Sequence, residues 1–520
     1  RYENMNNIRV STNGGLVTEN WFDLNASRYT PSSTLQRMEL LKTGYMGTLS
    51  LGWDNYLFLE LTGRQERSST LKDQSFFYPS ANLSFLFTQA FHMPSWWNYG
   101  KLRLSYGIVG NAPETYTANI VYEQGSDNGF TWNTIPSSWG NADIHPEKKY
   151  EYEIGLESKF LNNRLGIDIS YYNNRVKDQI LSTPQPSTSG VKNVLMNVGE
   201  VANRGWDISI SATPILTRDF RWDLTANYGV YKNKVVKLAD GVPYLEILNS
   251  GGSGIKIQAV EGQPMGDIYA QVPQVNENGE YLVSDKGLYL NQTELQKVGN
   301  INPAGVGGLF NSFSYKNVFL DFSIDFRIGG DVINEMNQYA TAVGLTPESL
   351  KYRDTEHGGL SYYYPGDNNS SGIPVQVDPS TGAGPNGEII YHDGIILPGV
   401  VASTGERNTR IIPAGYYYNT TYNWGTEAEQ LTYRHSVFDN SYVKLRELTI
   451  GYQFPEKMIS KLGLGRLSVS VFGRNLFYFY KALKNYDAES SVGTSWANQA
   501  TVGSSTTATR SFGVSLRASF

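Results

Sequence analysis

The stretch Val318–Ile328 reads VFLDFSIDFRI and, from Leu320 to its end, alternates between apolar and polar residues. Every second residue from Leu320 onward is apolar, and the residues between them are Asp, Ser, Asp and Arg. Successive side chains of a β-strand point to opposite faces, so this pattern predicts a strand with one apolar and one polar face. A helix would need a period of 3.6 residues, and no long segment shows that period convincingly.

The same alternation recurs along the chain, for example in Tyr150–Phe160, Arg221–Tyr228 and Ser511–Phe520. It predicts about fourteen strands in total. They are expected at residues 9–17, 37–52, 56–66, 79–90, 101–110, 149–160, 164–176, 204–213, 220–233, 306–316, 317–330, 441–454, 466–480 and 509–520. The chain is therefore predicted to be an all-β protein.

The connections between these strands alternate in length. The short ones are residues 54–55, 161–163, 214–219, 316–317 and 455–465, and the long ones are 18–36, 111–148, 177–203, 234–305, 331–440 and 481–508. A soluble β-sandwich or solenoid could also bury an apolar face, but neither has a reason to separate loop lengths by end. Transmembrane antiparallel β-barrels do, with short periplasmic turns and long extracellular loops. The pattern favours a barrel over residues 1–520, with Phe520 at the periplasmic side.

Composition excludes several classes of function. The 520 residues carry a net charge of −6 with acids and bases interspersed, so no nucleic-acid surface is predicted. The absence of Cys excludes a disulfide framework, a thiolate metal site and a cysteine nucleophile. No apolar run approaches the ~18–20 residues of a membrane helix. The first residues, RYENMNN, lack the apolar core of a signal peptide, so we expect the true start to lie upstream.

Seven short motifs follow one another along the predicted strands and loops. They are LSYG with GN at 104–111, NVG with NRGWD at 197–207, YK through GG at 315–330, DG through PGV at 393–400, YVKLR through GY and P at 442–455, GRNLF at 473–477 and SFG through F at 511–520. Together they resemble the C-terminal barrel portion of the SusC/RagA-type TonB-dependent transporters. Each motif alone is weak, and the specificity comes from seven in order.

Three segments depart from the family pattern. The sequence has Asp487-Ala488-Glu489 where the family usually has Asp-Pro-Glu, and Arg64–Ser69 where it often has RRDGSS. The acidic DxNGDGxI loop is reduced to Asn276–Tyr281, which argues against a calcium site there.

The resemblance implies a 22-stranded barrel in the outer membrane of a Gram-negative cell, of which these strands would be the last fourteen. A signal peptide, a TonB box, a plug and early strands would lie outside this sequence, and the first strand would pair with a strand outside it. The implied partners are a SusD-like surface lipoprotein, the TonB–ExbB–ExbD complex and outer-membrane lipid. The implied function is active import of oligosaccharides or peptides. Phe520 would be the terminal aromatic that the insertion machinery reads. A passive porin or a surface-binding barrel is the alternative.

Aromatic clusters in the predicted extracellular loop are candidate contacts for a substrate or a lid. Aromatic faces stack on sugar rings and also anchor protein interfaces, although they can equally pack a loop against itself. The residues are Tyr362, Tyr363, Tyr364, Tyr416, Tyr417, Tyr418 and Trp424.

Signals for other chemistry are weak. His357 follows Asp354 and Glu356, and His392 precedes an aspartate, but no second His lies at ligand spacing. The segment Gly382–Gly387 fits GxGxxG, yet it follows no strand and opens no helix. We therefore predict no metal site, no cofactor and no enzymatic activity.

Overall fold

The computed structural model describes residues 1–72, 75–127, 130–250, 254–366, 372–423, 432–460, 463–491, 493, 495–503 and 507–519. Fourteen strands form one sheet in which neighbours in sequence are neighbours in space. They are β1 Tyr2–Leu16, β2 Ser27–Trp53, β3 Leu57–Ser68, β4 Ser75–Phe85, β5 Trp97–Asn111, β6 Glu147–Phe160, β7 Leu165–Lys177, β8 Glu200–Leu216, β9 Phe220–Lys237, β10 Gly305–Tyr315, β11 Val318–Ile328, β12 Tyr442–Gln453, β13 Arg466–Lys481 and β14 Ser511–Ser519. Each of the fourteen predicted strands is confirmed.

Three predicted boundaries are wrong by five residues or more. Strand β1 begins at Tyr2 rather than near residue 9, because residues 2–8 also pair with β2. Strand β2 begins at Ser27 rather than near residue 37, because residues 27–36 pair with β1 instead of lying in a loop. The predicted strand 79–90 ends at Phe85, and a short helix, α1 (Phe87–Ala90), follows it. None of these segments has the strict alternation on which the prediction depended.

Left-handed backbone conformations close the short turns. Asp54 and Asn55 between β2 and β3 have φ values of 48° and 58°. Between β6 and β7, Leu161, Asn162 and Asn163 have φ values of 54°, 58° and 63°. Asn and Asp tolerate this region better than most residues, and consecutive positive φ values match the twist of the flanking strands. The predicted short turns at these two places are confirmed.

The chain divides into two compact units, of which the first comprises residues 1–163, 168–205 and 233–245. Its strand register aligns apolar residues in one row and polar residues in the adjacent row. The apolar row is Leu51, Leu59, Leu83, Leu104 and Ile154, and the polar row is Ser50, Glu60, Asn82, Ser105 and Glu153. Leu51 and Ile154 are about half exposed. An apolar face of this extent needs a covering, which for a membrane barrel is lipid.

The second unit comprises residues 164–167, 206–232 and 246–520, and its strands show the same division into two faces. The apolar row is Trp222, Phe313, Leu320, Ile450, Val471 and Val514, and the polar row is Asp223, Ser312, Asp321 and Thr449. Val471 is 59% exposed and Val514 is 72% exposed. The period-two pattern of the sequence therefore becomes continuous apolar rows across neighbouring strands.

The long connections of the second unit contain folded elements of their own. One sheet contains Ile255–Val260, Asp267–Ala270 and Gln296–Asn300. Another contains Leu360–Tyr363, Val375–Gln376, Tyr391–Ile395 and Ile412–Pro413. The helices are α2 (Glu335–Ala342) and α3 (Ala414–Tyr422), and a further short helix, α4 (Glu456–Ile459), lies between β12 and β13.

Three of these connections, 234–305, 331–440 and 481–508, share one hydrophobic core. Ile257 and Ile268 come from the first, Ile333 from the second, and Ala497 and Ala500 from the third. Ile257, Ile268 and Ile333 are fully buried. These loops are therefore parts of a single packed region, which we call the loop region.

In the described sheet, β1 pairs with β2 and β14 pairs with β13. Among the described residues, no pairing joins β1 to β14, which is the pairing that a closed fourteen-stranded ring would need. The expectation that β1 pairs with a strand outside the sequence stays a prediction. Phe520 lies outside the described residues.

None of the helices in the described part of the chain is long and apolar enough to cross a membrane.

Candidate functional site

The first predicted tyrosine cluster lies inside the loop region. Tyr362, Tyr363 and Tyr364 are all buried, and Tyr362 is only 1% exposed. The ring of Tyr362 stacks on Tyr391 at 5.5 Å, and its hydroxyl donates to a carboxylate oxygen of Asp393 at 3.1 Å. Burial raises the pKa of Tyr362, and the charge of Asp393 adds to the shift. These three rings therefore pack inside the loop region.

The second cluster lies on α3. Tyr418 is buried, and its hydroxyl donates to the backbone carbonyl of Glu348 at 2.9 Å. Burial raises the pKa of Tyr418 to about 12. Tyr416 and Tyr417 are partly buried on a neighbouring hydrophobic core. Trp424 lies outside the described residues. Whether any of these aromatic residues contacts a ligand or a lid remains a prediction.

Three tyrosines that the sequence reasoning did not single out join Tyr416 and Tyr417, either on the same core or through a neighbouring ring. Tyr281 and Tyr289 have ring centroids 5.1 Å apart, and Tyr281 is 45% exposed. Tyr289 and Tyr352 pack against the same core as Tyr416 and Tyr417. Sequence spacing gives no signal for this group, because its members come from distant parts of two connections. We call these five residues the tyrosine face, and it is partly open.

Neither His357 nor His392, the two histidines considered in the sequence, stands in a metal-ligand group. The imidazole of His357 lies 2.7 Å from a carboxylate oxygen of Asp354, and that of His392 lies 2.8 Å from the hydroxyl of Ser361. Within the ranges that the structure describes, no group of three or more His, Cys, Asp or Glu side chains could hold a metal ion.

Two turns that look like ligand loops in the sequence are closed by their own side chains. The carboxylate of Glu388 accepts the backbone N–H groups of Asn386 at 2.8 Å and Gly366 at 3.1 Å. These donors are therefore not available to a phosphate in the glycine-rich turn. In the reduced acidic turn, the side-chain oxygen of Asn276 accepts the backbone N–H of Glu280 at 2.9 Å.

The NVG motif of the first unit has a structural role. Asn197 accepts the backbone N–H of His145 at 2.9 Å and donates to the carbonyls of His145 at 2.7 Å and Asp178 at 2.9 Å. Gly199 has a φ of 99°, which a residue with a Cβ rarely adopts. The motif thus ties together three segments of the connections around β6, β7 and β8.

Four motifs of the second unit meet in a charge cluster. Arg446 donates to both carboxylate oxygens of Glu489, at 2.9 and 2.5 Å. Its Nε donates to Asp325 at 2.6 Å, and Lys444 donates to Glu489 at 2.5 Å. Arg446 also donates to the side-chain oxygen of Asn475 at 3.1 Å. Bidentate pairing of this kind is among the strongest of protein hydrogen-bonding arrangements.

Comparison with known proteins agrees with this architecture. The family described as "TonB dependent receptor-like, beta-barrel" matches residues 2–274. TonB-dependent receptor P3 of Formosa agariphila is 24% identical over 494 residues, which cover 86% of this chain and 42% of the relative. TonB-dependent receptor SusC of Bacteroides thetaiotaomicron is 30% identical over 247 residues, which cover 44% of this chain and 24% of SusC.

Solved structures show the same fold. The structure of the RagAB peptide transporter superimposes with a TM-score of 0.64 at 18% identity, and the match covers 92% of this chain and 49% of that one. The chain thus spans less than half the length of the relatives it matches. The match over more than half of the sequence and the two-faced strands lead to one conclusion: the chain belongs to the TonB-dependent receptor-like β-barrel family and forms part of a barrel in the outer membrane.

Proposed function

We propose that this chain forms the barrel strands and the loop region of an active importer of bulky nutrients. The observation that carries the proposal is the loop region, in which three long connections fold around one core. An open pore needs no such region, whereas a gated importer needs a shaped surface to receive its substrate. The names of the relatives, which are TonB-dependent receptors, support this choice over a passive porin.

The proposal includes the partners and substrates that the family resemblance implies. The partners are a SusD-like surface lipoprotein and the TonB–ExbB–ExbD complex, the latter acting through segments outside this sequence. The substrate is an oligosaccharide or a peptide. The RagAB structures are described as those of a peptide transporter, which supports peptides as one of the two classes.

Within the loop region, we place substrate contact on the tyrosine face. Of the tyrosines predicted from the sequence, Tyr416 and Tyr417 border this face, whereas Tyr362 and Tyr418 are buried. Tyr281 is its most open member. A tyrosine offers a broad apolar ring together with a hydroxyl, a combination that suits both sugars and peptide side chains.

Conductance and uptake measurements separate the importer from the porin. The full-length protein should show no steady open-channel conductance in a planar bilayer, and uptake in cells should stop when the proton motive force is dissipated. Steady conductance together with uptake that survives dissipation would support the porin instead.

The tyrosine face has its own test. The protein should co-purify with its lipoprotein partner, and mass spectrometry should identify the bound ligand. Tyr281→Ala should then lower the affinity for that ligand about tenfold, the effect of losing one stacked ring. Tyr244→Ala is the matched control, since Tyr244 is 41% exposed in a connection but is not part of the face. Equal losses in both variants would argue against the tyrosine face.

A further inference from the structure

The segment 483–489 contacts both the strand wall and the loop region. At one end, Glu489 is held by Arg446 and Lys444 of β12. The carboxylate of Asp487 accepts a hydrogen bond from the hydroxyl of Tyr478 on β13 and another from the backbone N–H of Ala508 at 2.9 Å. The segment is therefore fixed to two strands and to the far end of its own connection. We call residues 483–489 the strap.

A double irregularity in the strands places Arg446 in this position. Arg446 is skipped in the pairing of β12 with β11, where Glu447 and Leu445 face consecutive residues. It is skipped again in the pairing with β13. Opposite it, Asn475 has a φ of 52° and accepts a hydrogen bond from Arg446. Bulges re-aim side chains, and here the bulge directs Arg446 toward both Asp325 and Glu489.

The other end of the strap contacts the loop region. The side-chain amide of Asn485 donates to the side-chain oxygen of Asn337 on α2 at 2.9 Å and to the carboxylate of Glu348 at 3.2 Å. Leu483 is 2% exposed and packs with Val332 and Val502. Asn485 and Glu489 are four positions apart in the chain, so their Cα atoms can lie no more than about 14 Å apart.

The carboxylate of Glu489 is ionised at neutral pH. Burial alone would raise its pKa, but the hydrogen bonds from Arg446 and Lys444 outweigh burial and hold the pKa below its ordinary value. Lys444 is itself only 2% exposed, so it depends on this carboxylate for its pairing. Removing one partner of such a group leaves the other buried and uncompensated.

We propose that the strap positions the outer part of the loop region: the charge cluster holds Glu489, and Asn485 thereby fixes α2 and the turn Pro347–Leu350. Glu489 and Arg446 are positioning residues in this scheme, since neither needs to touch a substrate. The departure from the family's Asp-Pro-Glu is consistent with it, because Asp487 and Glu489 make the contacts and Ala488 contributes a backbone carbonyl to Asn440. The inference does not depend on what the protein imports.

Hydrogen exchange of the full-length protein in phospholipid nanodiscs tests whether the strap positions the loop region. Glu489→Gln should speed exchange about tenfold or more, both in the strap and in α2, because charge-assisted hydrogen bonds at both oxygens are weakened. Glu447→Gln is the matched control, since Glu447 is the residue after Arg446 but pairs with Arg474 instead. It should leave α2 within about twofold of the parent. In α2, the double variant Glu489→Gln with Arg446→Met should exchange little faster than Glu489→Gln alone. Each substitution breaks the same contact between Arg446 and Glu489, so their effects on α2 should not add.

A second variant keeps the test independent of the buried charges. Asn485→Ala cuts the outer end only, so exchange should rise in α2 while residues 487–489 stay protected. If Glu489→Gln changes the strap but leaves α2 unchanged, the strap does not position the loop region and the proposal fails. It fails equally if Asn485→Ala leaves α2 as protected as in the parent.

Discussion

Substituting Val471 by arginine tests whether the apolar rows face lipid. Val471 lies between Ile450 and Val514 in the apolar row of the second unit. It stands five residues after Arg466, the first residue of β13. At about 3.4 Å per residue and a tilt of about 40°, it lies about 13 Å from the short-turn end of the strand. The apolar band of an outer-membrane barrel is about 25 Å tall, so Val471 lies near the bilayer midplane.

The expected cost follows from that depth. An arginine at the midplane on the lipid face destabilises a barrel by about 2–4 kcal/mol. This corresponds to a decrease of about 30- to 700-fold in the folding equilibrium constant. The lower folding equilibrium constant should appear in equilibrium unfolding of the full-length protein in phospholipid vesicles. Unfolding can be followed by tryptophan fluorescence and by heat-modifiable mobility on gels.

The neighbouring residue supplies the control. Ser470 faces the other side of the sheet, where it pairs with Gly451 and Ser515. Ser470→Arg should change the free energy of unfolding by no more than about 0.5 kcal/mol, as for other solvated positions. If Ser470→Arg costs as much as Val471→Arg, or more, the assignment of the two faces is wrong.

Three further predictions address topology, assembly and pH. A single cysteine at Ser380 should react with an impermeant thiol reagent on whole cells and one at Ser460 should not, because we expect the long connections outside the cell and the short ones in the periplasm. The chain has no native Cys to interfere, and the reverse labelling would invert the topology. Phe520→Asp should lower the yield of heat-modifiable barrel in the outer membrane, and an unchanged yield would remove the terminal aromatic from assembly. The N–H of Asn386 lowers the pKa of Glu388 from 4.5 to about 2. Its stabilisation of the glycine-rich turn is therefore complete above pH 4.5 and lost as the pH falls toward 2. The protection of the Asn386 amide, taken relative to its intrinsic exchange rate at each pH, should fall over that interval in the parent but not in Glu388→Gln.

The strands could be predicted from the sequence because their environment is periodic. Lipid on one face and a polar interior on the other impose a two-residue period. The segment Leu320–Ile328 displays that period. Where that environment is absent, the prediction fails. The first ten residues of β2 are mostly polar and exposed, and their pairing with β1 is therefore not visible in the pattern.

The candidate site could be predicted only in part. Runs such as Tyr362–Tyr364 are conspicuous in sequence, yet these rings are buried, because a strand at the centre of a small sheet places both of its faces against other segments. The tyrosine face joins Tyr281 to Tyr416 across 135 positions, and only the tertiary fold brings such residues together. The charge cluster could be predicted in part. Each of its motifs is visible in the sequence, but the contacts of Arg446 and Lys444 with Glu489 are not.

The charge cluster also answers a physical problem that any barrel with large loops must solve. The strands direct their apolar side chains to lipid, so the polar face has little hydrophobic surface with which to hold a loop region. The loop region therefore needs a core of its own, and Ile257, Ile268 and Ile333 supply it. Its attachment to the wall must then be polar. An ion pair made by a buried cation, such as Lys444 with Glu489, adds little net stability over an apolar contact, but it restricts the arrangement of donors and acceptors. Charged side chains at this junction thus add directional contacts that fix the position of the loop region on the strands.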